Sequence, residues 1–383
     1  MTIGAVHRPH DPVPQMSAIA GVDRHEWDGL VNDSDFYHCH GWLGSLDYAL
    51  GAGEILTLRG CAGLLGGCAL WNGENQPGLF YLPEYFPGLP GPWHTPFLWG
   101  GARRSTHNEI PCISGPHRGE ALAAIAAALA AQAQLRGKTA TVIPYMPLSR
   151  AMEIARHYPY ARVVMHGAEA TIPVLPGGLN AQLTRWHAHH RNRTKAELRA
   201  FERLGNHVEW LPLTENLFTV AARLIADNRE KYGSHQGSEW MQNIFNGQRH
   251  SAIIDTAIAA VAKKNNCISA ITIFYHFGQT LHARYYGSDY QDIANDFRYF
   301  ALTYYHSLDY ADEHNITQCR LSVSALHAKT FRGAQLEPLA ALLLFTDRPD
   351  LARTSCENYN RRFHRYYQRH FSKHLTAEWL QLE

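Results

Sequence analysis

No apolar run in this chain of 383 residues approaches the ~20 residues that span a bilayer. Its opening, MTIGAVHRPHDPVPQ, lacks the hydrophobic segment of a secretory signal, so a cytoplasmic protein is expected. Seven cysteines, an odd number, include no Cys-x-x-Cys pair, which argues for reduced thiols and against structural zinc. His38-Cys39-His40 has no third ligand nearby, and neither a metal nor a cofactor is expected. There is no Gly-x-Ser-x-Gly elbow, and the cysteines sit in apolar contexts, so nothing supports covalent catalysis. An excess of charge is missing too. At net charge +1, any polyanion site has to be local.

At this length two domains of roughly 150–200 residues are the default. Residues 1–15 read as a loose leader and 16–175 as an N-terminal domain. A second domain follows over 176–350, with Leu175-Pro176-Gly177-Gly178 as the boundary turn. Residues 351–383 read as an amphipathic helix that could pack back on the N-terminal domain, with Tyr359, Phe363, Tyr366 and Tyr367 on one side and Arg361, Arg365 and Arg369 on another.

In the first half, helical spacing in HEWDGLVNDS and HGWLGSLDYAL precedes a hairpin, EILTLRG and GLLGGCALWNG. Residues 77–117 carry eight prolines and seven aromatics, and so long a structureless stretch is often functional. Tyr85, Trp93, Phe97 and Trp99 could line a pocket for an organic acceptor, or could plug the loop onto its domain. Arg103 and Arg104 could meet a carboxylate or phosphate. Helix and strand then alternate through GEALAAIAAALAAQAQLR, TATVIPY, LSRAMEIARHY and ARVVMHGAEATIPV.

The second half opens on LTRWHAHHRNRTKAELRAFERLGNHVEW. Arg185, Arg191, Arg193, Lys195, Arg199 and Arg203 are opposed only by Glu197 and Glu202. On a helix, Leu198, Phe201 and Leu204 would face a core, with Arg191, Lys195 and Arg199 on another side. Basic residues in the first half of a helix, beside its exposed amides, suit an anion; a solvated helix face is the plainer alternative. After the strand HVEWLPL come three expected helices, TENLFTVAARLIADNREKYG, SEWMQNIFNG and SAIIDTAIAAVAKKN. A hairpin, CISAITIFYHF and QTLHARYYGSD, turns at Gly278-Gln279. A helix, the strand TQCRLSV and SALHAKTFRGAQLEP complete the half. The pattern predicts an α/β (α+β) fold with mixed, mostly antiparallel sheets flanked by helices.

That order, with a basic helix opening the second half, resembles the Fem-type aminoacyl transferases and their FemAB-like relatives over about residues 18–375. The motifs that carry it are HHRNRTKAELRAFERLGNHVEW, ARYYGSD before a long helix, and Lys329-Thr330-Phe331-Arg332-Gly333, similar to the family's Lys-x-x-x-Gly segment. The resemblance implies two tandem GNAT-like domains and transfer of an activated acyl group to an amine. The donor would be aminoacyl-tRNA, and the acceptor a cell-wall precursor or small amine metabolite. Acyl-CoA enzymes of the GNAT type carry an Arg/Gln-x-x-Gly-x-Gly/Ala loop. The nearest stretch here, Gln134 to Thr139, has threonine where glycine or alanine belongs and follows a helix, which favours the tRNA donor.

Lys329 matches the family's lysine that meets the developing oxyanion, with a surface lysine on a turn as the alternative. Arg284 and Tyr286, expected on one strand face, could line the tunnel, and Asp289 is the best general-base candidate. Arg191, Arg193, Lys195, Arg199 and Arg332 are the expected donor contacts. An acyl-CoA-dependent N-acyltransferase and a non-catalytic binding module are the rival readings.

Overall fold

A hairpin of glycine-bounded strands organises the first half. The computed structural model describes residues 12–382 except Ser34, Ala52, Glu74, Leu79 and 291–295, with the side chains of 381 and 382 left aside. Of the expected leader, residues 1–11 lie outside the described residues, and Val13 already begins a strand. The chain divides into two units: 1–168 with 338–372 and 377–383, and 169–337 with 373–376. The Leu175–Gly178 turn therefore falls inside the second unit.

In chain order, the first unit holds β1 (Val13–Ala18), α1 (Arg24–Asp28), α2 (His40–Leu50) and the hairpin β2 (Glu54–Gly60) and β3 (Gly63–Asn72). The proline-rich stretch contains two elements that its composition hides, α3 (Leu82–Tyr85) and β4 (Leu98–Gly100). Then come α4 (Arg118–Leu135), β5 (Thr141–Pro147), α5 (Leu148–His157) and β6 (Ala161–Pro173), whose last residues belong to the second unit.

The second unit continues with α6 (Gly178–Arg185), α7 (Ala188–Arg203), β7 (His207–Pro212), α8 (Glu215–Lys231) and α9 (Ser238–His250). Three antiparallel strands follow: β8 (Ala257–Lys264), β9 (Cys267–Phe277) and β10 (Thr280–Ser288). A short α10 (Arg298–Phe300) runs through a π-helical turn, Ala301–Tyr305, into α11 (His306–Glu313). β11 (Gln318–Arg320) and α12 (Leu326–Thr330) lead to β12 (Gln335–Leu344), which carries the chain back to the first unit, where α13 (Arg353–Phe371) ends the main helices.

Within the first unit the sheet runs β1-β2-β3-β4-β5-β12-β6; in the second, β6-β11-β10-β9-β8-β7. β4 and β5 pair in parallel, as do β10 and β11, and the other pairs with a recorded register are antiparallel. Each unit is thus a mixed sheet flanked by helices.

Two assignments differ from the sequence reading. SAIIDTAIAAVAKKN is a 3-10 turn, Ile253–Thr256, followed by β8, where a helix was expected. Its alanines favour a helix in isolation, but they are buried between β7 and β9, and partner strands override local propensity. The unassigned run QLEPLAALLL is β12, whose continuous apolar pattern fits a strand covered on both faces.

The aromatic loop turns inward. Tyr85, Trp93, Phe97 and Trp99 are all buried in the first unit. Trp99 packs on Trp71 at 5.3 Å, Trp93 on Phe86 at 4.5 Å, and Tyr85 stacks on His166 at 4.3 Å. These rings form core, correcting the expectation that they line an acceptor pocket. α13 closes over this loop, with Phe86 edge-on to Tyr359 and the Tyr359 hydroxyl donating to the Tyr85 carbonyl at 3.3 Å. Asn360 extends β6 with its side chain: Oδ1 accepts from Met165 N at 2.9 Å and Nδ2 donates to Val163 O at 3.0 Å. Tyr366, expected inward, is exposed.

Asn360→Ala leaves a buried donor and a buried acceptor without partners. It should destabilise the chain by about 2–3 kcal/mol, read as a lower urea midpoint at unchanged m-value.

Candidate active site in the second unit

β10 and β11 stay paired for only three residues, Thr280–His282 against Gln318–Arg320. Beyond that β11 ends, while β10 continues along β9 to Ser288 with a register shift between Ala283 and Tyr285. Arg284 is the extra residue of this bulge. The shift reverses the side-chain alternation, so Tyr286 returns to the face of Ala283 and Tyr285 turns to the other. The expectation that Arg284 and Tyr286 share a face by simple alternation is corrected accordingly. Gly287 follows because α8 lies against the strand: a Cβ there would meet Ile225 N and Leu224 C at 2.5 Å.

The parted strands open onto a cavity of about 1010 Å3. Arg284, Tyr286, Asp289 and Lys329 all line it. The wall also includes residues the sequence reading missed, chiefly Lys231, Tyr290, Asp296, Arg298 and Tyr299. Of the charged wall residues, Lys231, Arg284, Arg298 and Lys329 face Asp289 and Asp296, so the cavity is net cationic. Arg298 is already spoken for: it is buried and bonds Asp296 through Nε at 2.8 Å and Nη2 at 2.7 Å, with Asn206 Nδ2 donating to the same carboxylate. The ammonium of Lys231 lies 4.2 Å from the Tyr290 ring centre.

Three non-glycine residues of the wall, Phe297, Ser322 and Ala325, have left-handed backbones at φ of 60°, 67° and 52°. Each costs on the order of 1–3 kcal/mol, and such strain gathers at functional sites. The π-helical turn aligns Thr303 toward Thr272, hydroxyl to hydroxyl at 3.1 Å. Tyr299 and Tyr304 meet hydroxyl to hydroxyl at 3.0 Å. Burial raises the phenols of Tyr286, Tyr299 and Tyr304, which stay protonated donors.

Lys329 is only 3% exposed. Its Nζ donates to the carbonyls of Leu321 and Ser322, the latter at 3.2 Å. Burial pushes its pKa down to about 7, against a partial upward pull from Glu169. Near neutral pH both protonation states are therefore populated, and an anion arriving beside it would favour the ammonium.

The basic helix is less free than its composition suggests. Its buried positions are Thr194, Glu197 and Phe201, with Leu198 and Leu204 half-buried. Arg193 pairs with Glu197 at 2.9 Å and lies 5.0 Å from the Phe331 ring centre; Arg191 donates to Trp186 O at 3.3 Å. Lys195 and Arg199 are exposed and form no ion pair among the described residues. Arg332 was expected to meet the donor, but it is buried and fully engaged. It bonds Glu197 Oε2 at 2.9 Å, the Tyr305 hydroxyl at 2.9 Å and Ala328 O at 2.9 Å, stacked 3.4 Å from the Phe300 ring centre. Tyr305 also donates to Glu197. This network holds α7, the π-helical turn and α12 together. Arg103, in the first unit, donates to the carbonyls of Leu50 and Gly51, and Arg104 has a left-handed backbone at φ 57°; neither lines this cavity.

No family model matches the sequence, and no curated protein matches it. Solved structures do. One described as FemX superposes with a TM-score of 0.57 at 12% identity, covering 87% of this chain and 98% of its own. A conserved protein of unknown function from Bacteroides thetaiotaomicron gives 0.57 at 13%, covering 88% and 99%. A tandem GNAT protein from the clavulanic acid biosynthesis pathway gives 0.51 at 10%, covering 87% and 98%. The chain has the Fem/GNAT-type fold, two tandem GNAT-like units.

Arg332→Met would take from the buried Glu197 carboxylate its buried cation, leaving it Arg193 and the Tyr305 hydroxyl. A loss of about 3 kcal/mol, the low end for a broken buried pair, is expected, with Glu197→Gln in the same chain restoring part of it, both read by urea unfolding. Lys329 gives a pH signature of its own. Its folded pKa, about 7, lies below its ordinary 10.5, so the unfolded state binds more protons between these values. Stability therefore rises with pH across that window, by up to about 1.4 kcal/mol per unit. The parent should gain on Lys329→Met between pH 7 and 9.5, and a constant gap would refute the buried-amine assignment.

Proposed function

We propose that the chain is an acyltransferase that forms an amide bond, moving an aminoacyl group from aminoacyl-tRNA onto an amine acceptor, a cell-wall precursor or a small amine metabolite. The observation that carries this reading is Lys329, a buried amine held by two carbonyls at the wall of a cationic cavity. The amine nitrogen of the acceptor bonds to the aminoacyl carbonyl carbon, the ester C–O bond to the tRNA ribose breaks, and the amine proton passes to the released ribose oxygen. Little is needed beyond positioning and a cation for the transient oxyanion. Lys329 supplies that cation: its ammonium, weakly held because of burial, is favoured as negative charge appears beside it, so its attraction is strongest in the transition state. Asp289 takes the proton of the attacking amine and hands it to the released ribose oxygen, and Arg284 and Tyr286 line the path of the ester.

The donor reading is supported by the sequence, which holds no Arg/Gln-x-x-Gly-x-Gly/Ala stretch of the kind whose amides hold a CoA pyrophosphate. Lys195 and Arg199, exposed on α7 and without an ion pair among the described residues, are the contacts for RNA phosphates, with Arg191 and Arg193 beside them. The solved tandem GNAT protein that this chain resembles is described with reference to acetyl-CoA, which makes an acyl-CoA-dependent N-acyltransferase the rival reading.

Amide formation in single turnover separates the two. Activity should require charged tRNA and vanish with ribonuclease; product from acyl-CoA with stoichiometric CoA release, indifferent to ribonuclease, would overturn the donor assignment. In the same assay Lys329→Met should be slower by about 100- to 1000-fold with donor binding nearly intact. A rate within about threefold of the parent would remove Lys329 from the chemistry.

A further inference from the structure

α13 carries five arginines, Arg353, Arg361, Arg362, Arg365 and Arg369, against one carboxylate, Glu357. Arg361, Arg362, Arg365 and Arg369 are all exposed, and among the described residues none forms an ion pair, Arg361 donating instead to the neutral Asn358 Oδ1. Arg361, Arg362 and Arg365 form one wall of an open groove of about 1000 Å3, whose other wall is Gly88-Leu89-Pro90 of the aromatic loop. The groove has no acidic lining residue; its remaining polar groups include the neutral amides of Asn358 and Gln368. Nothing in the chemistry of the second unit uses it.

We propose that this groove of the first unit binds the phosphodiester backbone of RNA. Arg361, Arg365 and Arg369 stand at i, i+4 and i+8, about 6 Å apart along the helix axis, an interval close to that of successive phosphates on one strand. Exposed guanidinium groups without carboxylate partners keep most of their donors for phosphate oxygens, which they bind in forked pairs; Arg361 shares one N–H with Asn358, a neutral partner that leaves its charge uncompensated. Tyr366, 54% exposed on the same helix, offers a ring for an unpaired base. An anionic lipid surface fits less well. A helix that lies on a bilayer buries an apolar face in it, and here Tyr359, Tyr367 and Phe371 are turned into the protein. Arg361, Arg362 and Arg365 also line a concavity, with Arg369 one turn beyond it, and a strand can enter a concavity where a planar surface cannot.

This inference rests on the reading of the donor as RNA and gives that RNA a contact outside the catalytic unit. The test uses the full chain, fluorescently labelled tRNA and a salt titration. The triple variant R361Q/R365Q/R369Q should bind at least about tenfold more weakly at 0.15 M salt. Its slope of log K on log salt should be shallower by roughly 2–3, as expected for three lost phosphate contacts. The matching triple lysine variant should keep the slope. A parent slope retained by the glutamine triple would overturn the groove alone. A parent chain without tRNA affinity would overturn both the groove and the donor reading. Loss of binding only to vesicles containing phosphatidylglycerol, with tRNA binding intact, would assign the surface to lipid and overturn the proposal.

Discussion

Everything chemical in the second unit depends on two neighbouring parallel strands parting after three residues. A fully zipped pair would fill the sheet with hydrogen bonds and leave no room for a ligand. Here β11 stops at Arg320, β10 bulges at Arg284, and the backbone groups freed by the split line an opening between them. The lost ladder is replaced in part by Lys329, whose Nζ takes the carbonyls of Leu321 and Ser322 just past the end of β11. One side chain therefore both satisfies the open strand end and places an amine in the cavity.

Burying that amine is unfavourable, and the surrounding charges show how the unit contains the penalty. Arg320 stands 3.6 Å from Glu169 and 3.4 Å from Glu337, so the cation nearest the strand end is matched by carboxylates. Arg332 and Arg298 are likewise matched, by Glu197 and Asp296. Lys329 by contrast is hydrogen-bonded to carbonyls and has only a partial pull from Glu169, so its proton is correspondingly weakly held. A paired lysine would be a permanent cation with its field already compensated; an unpaired, desolvated one responds to whatever charge appears beside it.

The fold was largely legible because its strands and helices follow the periods their burial imposes. The hairpin at Gly278-Gln279, the alanine-rich α4 and the strand β6 lie where alternation or helical spacing placed them. What escaped has physical causes. β12 is apolar on both faces and so has no period; β8 is written in alanine, which suits a helix until two strands flank it; β4 is three residues long within a proline-rich run. At the site, Lys329, Asp289, Arg284 and Tyr286 were named through sequence and resemblance, and they do line one cavity. Arg332 was misjudged, and the aromatic loop left open between pocket and plug, because a sequence shows a residue's type without its partners. Arg298 and Asp296 carried no signal at all, being an ion pair two residues apart with no periodic context.

The same distinction between type and partner governs the two basic helices. Both α7 and α13 are rich in arginine, yet α7 spends Arg193 on a buried glutamate and places Arg191 on a backbone carbonyl. α13 leaves four arginines in solvent without a carboxylate partner among the described residues. Because salt screens exposed charges beyond about 8–10 Å, a net charge near zero says nothing about such a patch. A polyanion responds to guanidinium groups within one Debye length of its phosphates, and only unpaired ones can exchange water for phosphate oxygens. Density of basic residues in sequence therefore overstates α7 and understates α13, and the count that matters is of cations left without a carboxylate.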